Sequence, residues 1–178
     1  MLTQLSTRRE DGNQDLVDLL GECHQRIRRF IDLARRAASQ PDAPPDQVAQ
    51  ACADVERYFV EALPLHVADE EESIEPRLRG LSPSVDLALD AMAQQHREHA
   101  SKLEALLRAT VRVRREPHDE RARGELATAA IALETEFEGH LALEENTIFP
   151  AIRELLSPET QESIIVELRR RRLGTWSR

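Results

Sequence analysis

The chain has 178 residues, enough for one domain with a full hydrophobic core. Its formal net charge of −9 argues against a nucleic-acid-binding surface, which usually needs a basic face. No apolar run is long enough to cross a membrane, and the polar N-terminus lacks the apolar stretch of a signal peptide, so we expect a cytoplasmic protein.

Ala, Leu, Glu and Arg are abundant and aromatic residues are scarce, which favours an all-helical fold. Residues 1–12 are polar, and we expect a flexible arm there. A first helix is predicted from about Asn13 to Ala38, because one face repeats at helical spacing: Leu20, His24, Ile27, Ile31 and Ala34. The proline-rich stretch 40–45 predicts a linker.

A second helix is predicted from Asp46, acting as its N-cap, to about Leu78. Its inward positions are predicted to include Cys52, Phe59, Leu63, His66 and Glu70. Pro64 lies inside this helix, so we expect a kink just before His66. Gly80 is typical of a C-terminal stop.

The third helix is predicted over about Pro83 to Arg115, with Ser82 as its cap and with Met92, His96, His99, Leu103 and Leu106 on one face. A turn at residues 117–119 leads to a fourth helix ending near Leu156. Its predicted inward positions are Ile131, Leu133, Phe137, His140, Glu144 and Ile148.

Ser157 and Pro158 predict the start of a short fifth helix, so residues 157–178 form a C-terminal helix and tail after a bundle domain at 13–156. Four long helices with short connections predict an antiparallel up-down four-helix bundle. We interpret the basic run Arg169–Arg172 as offsetting the dipole at a helix C-terminus. A protein partner or a homodimer contact through this last helix is the other interpretation.

Two segments, 66–78 and 140–152, repeat one pattern. Each begins with His and has Glu at the fourth and fifth positions after it, Ile at the eighth and Pro at the tenth. Residues four apart share a helix face, so His66 lies beside Glu70 and His140 lies beside Glu144. Imidazole and carboxylate are ligands for iron, zinc or manganese. One such pair is weak evidence, whereas two copies in a longer repeated frame indicate a metal site.

The helix rise of about 1.5 Å per residue predicts where these groups meet in an antiparallel bundle. Five histidines and two carboxylates fall at one level of the interior: His24, His66, His96, His99, His140, Glu70 and Glu144. Without a metal, so many buried polar groups would be left without partners. Only His118 is left over, in a turn.

Other residues near this level have simpler interpretations. Glu71, Glu72 and Glu145 flank the candidate ligands and are predicted to lie on the solvated face. Tyr58 is predicted to pack in the core. Cys23 and Cys52 are predicted to be free thiols, because Cys52 lies about 21 Å along its helix from the metal level, near which Cys23 lies.

The sequence resembles the hemerythrin-like family, also called HHE cation-binding domains. The resemblance rests on His24, the two His-x-x-x-Glu pairs, a histidine of the third helix and the segment 144–150. It implies two iron ions with an oxo or hydroxo bridge, also bridged by Glu70 and Glu144. It further implies that His24 and His66 serve one iron, and that His140 and the third-helix histidines serve the other.

The third-helix histidines are spaced His96-x-x-His99, whereas the oxygen carriers of the family use His-x-x-x-His. The ligand set therefore includes either both of these histidines or only one of them. A nitrogen-rich set supplies less negative charge than a carboxylate-rich set and favours the reduced state. We expect a di-iron protein that binds or senses dioxygen, peroxide or nitric oxide. A weak oxidase, peroxidase or iron-handling protein and a helical interaction module with a structural metal remain alternatives, which leaves enzymatic activity open.

Overall fold

The computed structural model describes residues 15–40 and 42–174. Within these ranges the chain forms five helices and no strand, which confirms the predicted fold class. They are α1 (Leu16–Ser39), α2 (residues 45–78), α3 (Pro83–Arg115), α4 (residues 120–155) and α5 (Pro158–Gly174). The predicted arm at 1–12 lies outside the described residues, and the division into domains stays a prediction.

Side chains and turn residues set the helix ends. The Asp15 carboxylate accepts a hydrogen bond from the backbone N–H of Asp18 at 2.7 Å and starts α1. Gly80 ends the turn after α2 with φ +84°, a left-handed conformation that favours glycine. The prediction that Asp46 caps α2 is wrong: Pro45 is the first helical residue, a position where a missing N–H costs nothing.

Each interior proline follows a π-helical turn, in which hydrogen bonds span five residues instead of four. The turns cover Tyr58–Ala62, Asp69–Ile74 and Glu144–Ile148, and they precede Pro64, Pro76 and Pro150. Proline removes one helical N–H and clashes with the carbonyl four residues earlier, so a wider turn relieves the conflict. The distortion expected before His66 is therefore a π turn, and the two repeated segments contain one each.

The bundle is formed by α1 and α3, which both pack against α2 and α4. Two separate apolar clusters fill its interior. On α1, Leu20 belongs to one cluster and Ile27 to the other, with His24 between them. The same order holds on α2, where Leu63 and Ile74 flank His66 and Glu70. The candidate ligands therefore form one polar layer between two apolar clusters.

Most predicted inward positions are buried, but Ile131 of α4 is 53 % exposed and that prediction is wrong. Ile131 and Leu133 are two residues apart, about 200° around the helix axis, so they cannot share a face. The buried face of α4 follows Leu126, Ala130, Leu133 and Phe137.

Cys23 and Cys52 are free thiols, as predicted. Burial raises the pKa of Cys52 to about 11, and it also raises the pKa of Cys23. Across the described ranges, none of the helices combines the length and the apolar character that a membrane span requires.

Candidate metal centre

The polar layer contains two overlapping groups of potential ligands. His24 and His66 form the first group with Glu70 and Glu144, and His96 and His140 form the second group with the same two carboxylates. Within each group the ligand atoms all lie within 4.8 Å of one another. Sharing Glu70 and Glu144 places the two groups side by side, which suggests a binuclear metal site.

The two oxygens of each shared carboxylate point to different groups. In Glu144, Oε2 lies 2.9 Å from His24 Nε2 and Oε1 lies 3.1 Å from His140 Nε2. In Glu70, Oε1 lies 3.0 Å from His66 Nε2 and Oε2 lies 3.3 Å from His96 Nε2. Each carboxylate therefore offers one oxygen to each group, as a bridging ligand does.

The chemistry of these atoms fits a metal. The Nε2 atoms of His24, His66 and His96 and all four oxygens of Glu70 and Glu144 are buried without a hydrogen-bond partner in the described structure. Groups of this kind are costly to bury and need a proton or a cation between them. A cation in each group would satisfy the facing lone pairs at once.

The electrostatics favour neutral imidazoles around carboxylates that need a cation. Burial is the main cause that lowers the pKa of His66 to about 3 and that of His140 to about 4, so both rings offer lone pairs at neutral pH. Burial, followed by the charge of Glu144, raises the pKa of Glu70. Burial alone would also raise the pKa of Glu144, but the adjacent imidazoles, His24 first, lower it to about 2. A cation would stabilise both carboxylates as anions.

Three of the histidines are oriented through their second ring nitrogen. His24 Nδ1–H donates to Glu145 at 2.8 Å, His96 Nδ1–H donates to Glu71 at 2.8 Å, and His140 Nδ1–H donates to Gln95 at 3.0 Å. A proton held on Nδ1 leaves the Nε2 lone pair free for a metal. Glu145 is itself fixed by Arg28, whose guanidinium donates to it at 2.8 Å.

These orienting contacts were missed by sequence reasoning, which placed Glu71 and Glu145 on the solvated face. Their side chains are 43 % and 36 % exposed, so the prediction is correct for one edge of each carboxylate. A signal was present, because both are the second Glu of the repeated Glu-Glu pair. The first Glu of each pair lies in the polar layer, and the second holds a histidine of a neighbouring helix.

The remaining predicted residues are placed as follows. His99 is buried and its Nε2 has no partner among the described residues, but it belongs to neither ligand group. Its ring stacks on Phe137 at 4.4 Å and lies 4.9 Å from the His140 ring. His118 is exposed in the turn after α3. Tyr58 packs in the core, stacked on Phe30 at 4.2 Å.

The basic run of α5 makes contacts that sequence reasoning did not predict. Arg171 and Arg172 both pair with Asp69, a fully buried carboxylate next to Glu70 in the chain. Both arginines lie in the last turn of α5, as the dipole interpretation expects, and their pairing with Asp69 is an additional role. Through these two arginines the last turn of α5 contacts the residue next to Glu70, at the edge of the polar layer.

The comparison with known families agrees with this geometry. The sequence profile of the hemerythrin HHE cation binding domain matches residues 15–152, which include α1 to α3 and nearly all of α4. The chain belongs to this family, and its buried His/Glu clusters are able to hold metal. A search of curated proteins found no match.

Proposed function

We propose that the chain is a non-heme di-iron protein that binds or senses dioxygen or a related small ligand, such as peroxide or nitric oxide. Iron is chosen over other metals because imidazole and carboxylate ligands suit it and because the family resemblance implies it. In this proposal His24, His66, His96 and His140 are terminal ligands, and Glu70 and Glu144 are bridges. His99 is a further nitrogen donor or a neighbour of the second ion.

The observation that carries the proposal is the division of each buried carboxylate between two groups. Glu144 reaches His24 with one oxygen and His140 with the other, and Glu70 does the same with His66 and His96. A single ion would need only one of these groups. Two ions bridged by both carboxylates use every oxygen.

Bound iron would supply one-electron redox chemistry and an open coordination position for a small ligand. The protein supplies the rest. Glu145 and Glu71 accept the Nδ1 protons of His24 and His96, which fixes the orientation of both rings and leaves their Nε2 lone pairs available to a metal. Apolar clusters above and below the layer exclude water. Only two carboxylates face four imidazoles in the two groups, so the set carries little negative charge and favours ferrous ions over more oxidised states.

The test is metal analysis of protein purified after expression with added iron. We expect two irons per chain, one for each ligand group, with charge-transfer absorption that azide alters. Stoichiometric zinc with no iron uptake, or a colourless iron-free protein, would contradict the proposal. Stopped-flow mixing of the reduced protein with oxygen then tests ligand binding. Rapid multiple turnover of peroxide would instead favour an oxidase or peroxidase.

A further inference from the structure

Asp69 is a buried carboxylate whose partners lie about a hundred residues away in the chain. Its side chain is 0 % exposed, and it is clamped by Arg171 and Arg172 of α5, the latter at 2.6 Å. Arg171 also donates to Ser73 Oγ at 3.1 Å, and Arg172 donates to Cys23 Sγ at 3.9 Å. We call Asp69, Arg171 and Arg172 the α5 clamp.

The α5 clamp acts on the backbone that carries a bridging carboxylate. Asp69 and Glu70 are the first two residues of the π turn Asp69–Ile74, whose wide hydrogen bond runs from the Glu75 N–H to the Glu70 carbonyl. Fixing the Asp69 side chain therefore fixes the start of this turn. The guanidinium groups also offset a second buried negative charge beside Glu70, which an unpaired Asp69 would impose.

The rest of α5 is attached by ordinary packing. Ile164 and Leu168 are buried in the apolar cluster that also contains Ile74. Arg77 of α2 donates to Glu167 at 2.5 Å. These contacts hold α5 to the bundle without reaching Asp69, whereas the α5 clamp connects α5 directly to the residue next to Glu70 in the polar layer. The α5 helix lies beyond the residues matched by the family profile, 15–152.

We propose that α5 is a positioning element for the metal centre: Arg171 and Arg172 hold Asp69 so that Glu70 stays in its bridging position, and metal binding and α5 docking strengthen each other. The inference rests on the proposed metal centre. Because coupling between two binding events is reciprocal, a clamp that raises metal affinity must itself be stabilised when metal binds.

The first test compares two double variants with the same change in charge. Arg171→Gln with Arg172→Gln breaks the α5 clamp, whereas Arg169→Gln with Arg170→Gln alters neighbouring arginines for which no Asp69 contact is found among the described residues. We expect ferrous-ion affinity, titrated anaerobically, to fall about tenfold in the first variant, within the range of about 5 to 150-fold typical of coupling. The control should stay within about twofold. Equal affinity in both variants would overturn the inference.

The second test uses the unaltered protein and so does not depend on a variant folding. Hydrogen–deuterium exchange is measured with and without Co²⁺, which suits the same ligands as iron. Metal should slow amide exchange across residues 158–174, and unchanged exchange there would overturn the coupling. If the protein bound no metal at all, the proposed function would fail first. Binding with no effect on α5 would reject this inference alone.

Discussion

The two copies of the repeated segment, 66–78 on α2 and 140–152 on α4, contribute the same types of side chain to the polar layer but lie in different surroundings. Each places a histidine and a carboxylate in the polar layer, opens a π turn near that carboxylate and closes it before a proline. Each then buries an isoleucine, Ile74 at 1 % exposure and Ile148 at 2 %. The metal-facing atoms and the backbone that carries them are what the two copies share.

The copies differ in how they are supported. The residue before the shared carboxylate is Asp69 on α2, a carboxylate held by α5, but it is Leu143 on α4, which packs against an apolar cluster. His140 Nδ1–H donates to Gln95, whereas His66 Nδ1 has no partner among the described residues. The two copies therefore place their candidate ligands in the same way, but different residues hold those ligands in position. Substitutions can distinguish the ligands from the residues that hold them.

The largest expected effect comes from the carboxylates, where the two copies should behave alike. Glu70→Ala or Glu144→Ala should reduce iron from two ions per chain to less than one, because each carboxylate serves both groups. Metal analysis of the purified variants is the measurement. Glu154→Ala, an exposed position on α4, is the control. Loss of only one ion in either variant would show that its carboxylate does not bridge.

The histidines of α3 should have a smaller effect, limited to the second group. His96→Ala should lose one ion, because His96 Nε2 lies 3.3 Å from Glu70. His99→Ala should keep both ions with a changed absorption spectrum, because His99 lies outside both groups. His118→Ala should change neither iron content nor spectrum. The assignment of His96 fails if His99→Ala loses more iron than His96→Ala.

The orienting carboxylates should change affinity without abolishing the site. Glu145→Gln and Glu71→Gln should weaken iron binding about 10 to 100-fold, the usual cost of losing a partner that orients a ligand. Glu145→Gln should cost more, because Glu145 also binds Arg28. Glu138→Gln is a matched control, since Glu138 contacts Arg28 and, in the part of the chain that the structure describes, is not found paired with a candidate ligand. Titrations giving the same affinity for Glu145→Gln and Glu138→Gln would refute the orienting role.

The smallest expected effect is on the thermal stability of the metal-free protein. It is a gain, whereas the substitutions above all weaken metal binding or leave it unchanged. Metal-free Glu70→Gln should melt at a higher temperature than metal-free wild type at neutral pH, because burial and the charge of Glu144 raise the pKa of Glu70 and a buried carboxyl with a raised pKa costs stability there, a cost that glutamine does not carry. A gain of about 1 kcal/mol corresponds to roughly 2–4 °C in a chain of this size. Calorimetry in the presence of chelator measures the shift. A lower melting temperature would mean that the Glu70 carboxylate is stabilising even without metal.

Much of the fold was predictable because its signals are local. Proline and glycine mark the helix ends, and the histidines follow the helical period. Ile131 was misplaced because residues 127–133 of α4 are almost entirely small or apolar, so the pattern does not define one face. Pro64, Pro76 and Pro150 indicated distortion, but proline alone does not distinguish a kink from a π turn.

In the candidate site, too, local features were predictable and long-range contacts were not. Four candidate ligands were predictable from repeated spacing within a helix, and His24 and His96 were predictable from their level along an antiparallel bundle. The supports were not, because each joins residues far apart in the chain: Glu145 is 121 positions from His24, and Arg172 is 103 from Asp69. Spacing does not encode such contacts. Only the second Glu of each repeated pair offered a hint of them.

The most direct test of the central claim is a crystal structure of the iron-loaded protein with anomalous scattering measured at the iron edge. Two iron peaks are expected about 3.5–4 Å apart, the usual spacing of two-metal sites. Glu70 and Glu144 should each place one oxygen on each ion. A single peak, or two peaks with either carboxylate bound to one ion only, would contradict the bridged centre.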